Sequence, residues 1–187
     1  MNHLISATGH TARWYALYTR SRFEKKIDDD FRRRGIECFL PLVEEVRLWS
    51  DRKKKVLEPL FRGYIFVRTD LRNKVSILQT DGIVRFVGVR NTPSPVPEQQ
   101  INWVRILAGS PDAIRREEYV SVGEVVRITA GQFKGVEGFV MKVKDTARVA
   151  VSLSCIAQSV SVEVPQEFLE RIYQPVAEPS IGFVRRL

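Results

Sequence analysis

Glu58-Pro59-Leu60-Phe61-Arg62-Gly63-Tyr64-Ile65-Phe66-Val67 is the stretch on which the fold of this chain turns. It lies in a strand-like segment, residues 55–68, rich in aromatic and aliphatic side chains. On a strand, Tyr64 and Phe66 share one face while Ile65 and Val67 share the other, so both faces are apolar. One face must cover the helices, so only one set can be free for a partner, and the plainer reading is that they are ordinary core.

On its N-terminal side, Ser50-Asp51-Arg52-Lys53-Lys54-Lys55 is polar enough to be a hairpin tip, joining this segment to a strand-like stretch near residues 36–47. Residues 14–19 read as a short strand. Ser21 with Glu24 matches a capping box, and Phe23, Ile27 and Phe31 recur at helical spacing until Gly35 supplies a C-terminal cap behind Arg32-Arg33-Arg34. Downstream, Asp70 can cap a second helix with Leu71, Val75 and Leu78 on one face, ended by Gly82. Residues 83–89 form another strand. Three prolines in residues 91–97 exclude a helix interior or central strand there, and Pro97 can start a third helix with Ile101, Val104 and Ala108 as its buried stripe. The order β-α-β-β-α-β plus a helix predicts an α+β, ferredoxin-like sandwich with a four-stranded antiparallel sheet.

Residues 109–121 are polar, without sustained period, and read as a linker. Beyond them the periodicity becomes strictly two: Phe139, Met141 and Val143; Val149, Val151 and Leu153; Val160, Val162 and Val164. Such segments joined by short turns predict a small antiparallel barrel, and their β-branched density predicts a stable one. The expected division is an extension over 1–12, a first domain over 13–108, a linker over 109–121, a barrel over 122–173 and a tail over 174–187.

Charge follows the same division. Residues 1–120 carry 22 Lys and Arg against 15 Asp and Glu, whereas residues 121–173 carry 6 of each. Only the first half is thus suited to a polyanion, although basic charge also serves solubility. The two cysteines, Cys38 and Cys155, are distant in sequence and read as reduced core thiols, which implies the cytoplasm. No stretch approaches the ~20 apolar residues of a membrane helix.

Several of these segments together resemble the NusG family of transcription elongation and antitermination factors. Arg13-Trp14-Tyr15-Ala16-Leu17-Tyr18-Thr19 followed by Glu24-Lys25 is similar to the start of its N-terminal domain. The stretch 58–67 resembles that domain's most recognisable segment, Gly82-Ile83-Val84-Arg85-Phe86-Val87-Gly88 its fourth strand, and Val96-Pro97-Glu98 its next helix start. Gly123-Glu124-Val125-Val126-Arg127-Ile128 with Gly131-Gln132-Phe133-Lys134-Gly135-Val136-Glu137-Gly138 resembles a KOW motif, implying an SH3-like barrel. Glu37-Cys38-Phe39-Leu40-Pro41 and Glu58-Pro59-Leu60-Phe61 resemble the operon-specific paralogues of the RfaH and UpxY type. Arg62 stands where the family often has Pro, replacing a rigid turn residue with a cation.

The resemblance implies a set of contacts. Tyr18, Phe61, Tyr64 and Phe66 match the surface that docks on the clamp helices of RNA polymerase; otherwise they are core. Asn73 and Lys74 match a second polymerase contact, or a solvated helix face. Arg20, Arg22, Lys25 and Lys26 stand near the element that reads the non-template DNA strand in specialised members; Asp28-Asp29-Asp30 dilutes their field and fits a plain amphipathic face equally. Gly131, Phe133, Lys134 and Gly135 form the KOW loop, with Phe133 expected exposed at its tip, that engages a small-subunit ribosomal protein or Rho in the family. A monomer without cofactor or metal is expected.

No catalytic constellation is visible. His3 and His10 lie in the terminal extension, no CxxC spacing suits a metal, and no phosphate-binding glycine loop occurs. The competing class is an RNA-binding ribosome- or translation-associated KOW protein. Arg62-Gly63-Tyr64-Ile65-Phe66 partly echoes an RNA-stacking strand, but the neutral barrel half speaks against ribosomal RNA.

Overall fold

The computed structural model describes residues 12–48, 53–90, 92–110, 114–117, 123–141, 147–153, 156 and 158–172. Expectations for His3, His10, Arg52, Val143, Cys155, the extension before residue 12 and the tail over 174–187 fall outside these residues. In chain order the first half contains β1 (Arg13–Thr19), α1 (Glu24–Arg33), β2 (Cys38–Phe39), β3 (Leu42–Leu48), β4 (Lys53–Pro59), β5 (Tyr64–Thr69), α2 (Lys74–Leu78), β6 (Ile83–Phe86), β7 (Gly88–Val89), β8 (Thr92–Pro93), β9 (Pro95–Val96) and α3 (Glu98–Ala108).

The sheet runs β2-β5-β1-β6, with the short β9 also paired to β1. All its pairings are antiparallel. The predicted strand over 36–47 is interrupted at Pro41, which has no N–H for a ladder. β2 therefore stays on β5, while β3 turns away to pair with β4 as a separate ribbon. Leu60 N–H donates to the Pro41 carbonyl and closes the base of that ribbon.

β1 and β5 divide their side chains between two layers. Tyr15, Leu17, Ile65 and Val67 pack with Ile27 and Phe31 of α1, Ile77 of α2 and Phe86. Trp14, Ala16 and Phe66 point to the other side, where Ile101, Val104 and Leu107 of α3 lie. Full burial of each such aliphatic or aromatic side chain contributes roughly 1.5–3 kcal/mol, which is what holds the helices to the sheet.

Three local expectations are corrected. The Ser21–Glu24 capping box does not form: the N-cap is Phe23 without a side-chain cap, and buried Glu24 instead accepts the Gly63 N–H at 2.7 Å. In the second helix Asp70 does cap, accepting from Arg72 N–H, but the first turn, Leu71–Asn73, is a 3₁₀ turn. Its tighter winding shifts the phase of α2. Ile77 becomes the buried residue, while Leu71 and Val75 are exposed. In α3 the buried stripe is Ile101, Val104 and Leu107, with Ala108 only partly covered.

The second half is all β: β10 (Ile114–Glu117), β11 (Val125–Ile128), β12 (Glu137–Val140), β13 (Ala147–Leu153), β14 (Gln158–Val164) and β15 (Leu169–Arg171). The antiparallel order is β10-β14-β13-β12-β11-β15. Val149, Val151, Leu153, Val160, Val162 and Val164 are buried, as the alternation predicts. β10 lies within the stretch read as linker and pairs with β14 from Ile114↔Val162 to Glu117↔Ser159. The chain is thus α+β, a ferredoxin-like sandwich followed by a barrel-type β unit.

Candidate functional site

The side of the sheet away from α1 and α2 gathers most of the predicted docking residues, because Trp14, Ala16 and Tyr18 alternate onto it and β5 adds Tyr64 and Phe66. The register sets Tyr18 against Tyr64 and Ala16 against Phe66. The Tyr18 and Tyr64 rings lie 5.4 Å apart, and the Arg85 guanidinium sits 5.5 Å from the Tyr18 ring centre. Tyr18 is 38% exposed and Tyr64 half-buried, so this end of the face opens to solvent. A cation over a half-exposed tyrosine suits a partner with both apolar and acidic groups.

Toward the middle of the face the picture differs from the expectation. Phe61 and Phe66 are buried, packed edge to face at 6.1 Å, with Phe39 stacked on Phe66 at 6.2 Å. Arg105 of α3 lies 5.3 Å from the ring centres of both Trp14 and Phe39. These aromatics belong to one apolar cluster that continues into the C-terminal unit through Val126, Ile128, Phe133 and Val136. Phe133, expected at an exposed tip, is only 3% exposed. Its neighbours Gly131, Lys134 and Gly135 are exposed, and Gly131 and Gly135 hold positive φ of 75° and 87° as the tight turn requires. Sequence periodicity treats the two halves separately, so it could not foresee a core shared between them.

The predicted nucleic-acid cations divide into two groups. Arg20 and Lys26 both pair with Asp81, at 3.3 and 2.8 Å, and both lie over the Phe23 ring. The hydrogen bond from Lys26, then its charge, holds the Asp81 carboxyl below its ordinary range. Arg22 and Lys25 instead line a cleft of about 720 Å³ with Tyr18, Glu58, Arg62 and Gly63. Lys25 also donates to the Leu57 carbonyl, and Arg62 pairs with Glu45 at 3.6 Å. Arg22 has φ of 66°, a left-handed conformation costly for a non-glycine residue. Asn73 is exposed and Lys74 half-buried; Lys74 and Arg85 line a second, smaller hollow.

Cys38 donates its thiol to Asp28, and burial, followed by that hydrogen bond, pushes its pKa up to about 12. It is therefore an unreactive thiol. Among the described residues no group of three or more His, Cys, Asp or Glu could hold a metal ion, and no helix is long and apolar enough to cross a membrane.

Comparison with known proteins agrees with this layout. The family model described as "Transcription termination factor nusG" matches residues 12–105. The chain is 28% identical over 183 residues to the transcription termination/antitermination protein NusG of Borreliella burgdorferi, spanning 85% of this chain and 98% of that protein. It is 25% identical over 172 residues to the NusG of Helicobacter pylori, spanning 85% and 98%. A solved structure, "Domain interaction in Thermotoga maritima NusG", superposes with a TM-score of 0.50 at 22% identity over 86% of this chain and 97% of that one, which speaks to the fold. The sheet order, the aromatic stretch 58–67 and the family match over residues 12–105 agree, and the chain belongs to the NusG family of non-enzymatic transcription termination/antitermination factors.

Proposed function

We propose that this protein rides RNA polymerase in the cytoplasm as an elongation and antitermination regulator. Its N-terminal unit docks on the clamp helices of the large subunit, and its KOW unit recruits a second protein, either a small-subunit ribosomal protein or Rho. The observation carrying this reading is the α3 side of the sheet: an aromatic face in a NusG-family domain, open at the Tyr18–Tyr64 end and backed by Arg85. Aromatic side chains supply large rigid contact area with few rotors to freeze, which suits a docking anchor. Phe61 and Phe66 support that face from beneath while they are buried, and come into contact with a partner only when the face is uncovered. Asn73 and Lys74 would make the second polymerase contact.

Non-template DNA would approach Arg22 and Lys25, aided by Arg62, since these three cations line one cleft. The operon-specific role rests on the resemblance of residues 37–41 and 58–61 to specialised paralogues. The ribosome-associated alternative keeps the Arg62–Phe66 echo for support, and the neutral charge of residues 121–173 speaks against it.

The test is binding of the purified chain to bacterial core RNA polymerase beside Tyr18→Ala/Tyr64→Ala, titrated with salt. Micromolar or tighter binding that the double variant weakens at least tenfold, with little salt dependence, is expected. Binding to structured RNA with none to polymerase would replace this reading with the ribosomal one.

A further inference from the structure

Thr19, the last residue of β1, is only 1% exposed, and among the described residues its hydroxyl has no hydrogen-bond partner. A buried hydroxyl left unpaired destabilises the fold, so its presence needs a reason outside the fold. Thr19 lines the cleft of about 720 Å³, together with Ser21, Arg22, Lys25 and Arg62. These residues lie on either side of the start of α1. The N-cap there is Phe23, which supplies no side-chain cap, so the first N–H groups of the helix lack the acceptor that a serine or aspartate would bring. Arg62 reaches Glu45 at 3.6 Å with its own side chain 61% exposed, a pairing that costs little to exchange. An uncapped helix start, an orphan hydroxyl and three cations around one hollow all favour an oxyanion.

From this geometry we infer that the cleft is a phosphate subsite. One phosphodiester of a nucleic-acid strand sits at the start of α1, flanked by Arg22, Lys25 and Arg62, with the Thr19 hydroxyl donating to a phosphate oxygen. The inference rests on the nucleic-acid part of the reading given above and adds to it the atom group that is held. Charge decides between the two sources of phosphate. Glu24 and Glu58 also line the cleft, and Glu24 is fixed there by accepting the Gly63 N–H at 2.7 Å. Arg22, Lys25 and Arg62 against Glu24 and Glu58 leave one positive charge, which matches a phosphodiester better than the several negative charges of a free nucleoside triphosphate. Arg62 stands where the family often has Pro, and a proline there would remove one of the three cations. Phosphate contacts position a strand without reading its sequence. The subsite therefore fixes the register of the strand on the domain and leaves base reading to other residues.

The test is titration of the full chain with a short fluorescein-labelled oligo(dT) across a salt series. On single strands each phosphate contact adds about 0.7 to the slope of log affinity against log salt. Arg62→Ala should lower that slope by about 0.7 and weaken binding several-fold, whereas Arg62→Lys should keep the slope. Arg171→Ala, on β15 of the other unit, is the control and should change neither. Thr19→Val keeps the shape and loses the hydroxyl. It should bind a few-fold more weakly at unchanged slope, while its urea midpoint equals or exceeds that of the parent. A Thr19 that merely packed would lose midpoint and keep affinity, which overturns its role. Inorganic phosphate and ATP, added at matched ionic strength, should fail to displace the oligonucleotide. Displacement by ATP that Arg62→Ala abolishes would assign the cleft to a free nucleotide and overturn the strand assignment. Binding of oligo(dT) with the same slope in the parent and Arg62→Ala chains, or an equal fall in slope with Arg171→Ala, overturns the subsite and leaves the DNA contact standing. A parent chain that binds no oligo(dT) sinks the subsite and the nucleic-acid reading together.

Discussion

At the residue scale, a few positions carry consequences beyond their own contacts. Gly82 has φ of 92°, and a Cβ added there would lie 2.2 Å from the Phe23 ring. Gly82→Ala should therefore destabilise the fold by about 1–3 kcal/mol, through both the backbone and the displaced ring, read as a lower urea midpoint at unchanged slope. Arg22 is the opposite case, a strained residue beside a cleft. Arg22→Gly should leave stability equal or higher, by up to about 1 kcal/mol, yet weaken binding to single-stranded DNA. A stability loss without a binding change would show that the strain serves packing alone. Asp81, its carboxyl lowered chiefly by Lys26, adds stability above its ordinary pKa, and that contribution fades as pH falls through the folded value. Lys26→Met should thus flatten the acid limb of the stability curve slightly. The raised thiol pKa of Cys38 predicts slow alkylation at pH 8 in the folded protein and fast alkylation in urea, followed by mass spectrometry of its peptide.

At the scale of elements, the link between α1 and the turn before β5 is Glu24, buried at 5% exposure and bonded to the Gly63 N–H. Glu24→Ala should cost about 1–3 kcal/mol, with Glu24→Gln less severe because it keeps an acceptor, both measured by equilibrium unfolding. The same residue explains why a capping motif misleads here. A Ser-x-x-Glu pattern states what a helix start can do for itself, but the turn at Gly63 supplies a better use for the carboxylate. The 3₁₀ turn at Leu71–Asn73 acts similarly, since a change of winding over three residues moved burial from Val75 to Ile77. The alternating valines of β13 and β14 are buried as expected, but Ala150 and Ser161 between them are buried as well. The expected stripe of α1 survives at Ile27 and Phe31, while Phe23 lies at the N-cap, partly buried.

At the scale of the whole molecule, the candidate site was partly legible and partly not. Alternation within β5 set Tyr64 and Phe66 on one face, and only the family resemblance added Tyr18, which the structure pairs with Tyr64. Arg85 over Tyr18 and Trp103 against Gly135 could not be foreseen, because each joins residues from different elements and no spacing along the chain encodes such a meeting. Strand period, helix stripe, glycine at left-handed turns and the charge difference between halves are properties of neighbours in sequence. They were enough to establish an α+β sandwich followed by a β unit, because local propensity and burial pattern point the same way there. Whether Phe61, Phe66 and Phe133 meet solvent depends on which apolar face finds which, and that is a balance of area buried across the whole chain. All three are buried in one cluster that takes in α3 and the β unit, so exposure at the site is a property of the folded molecule rather than of any segment in it.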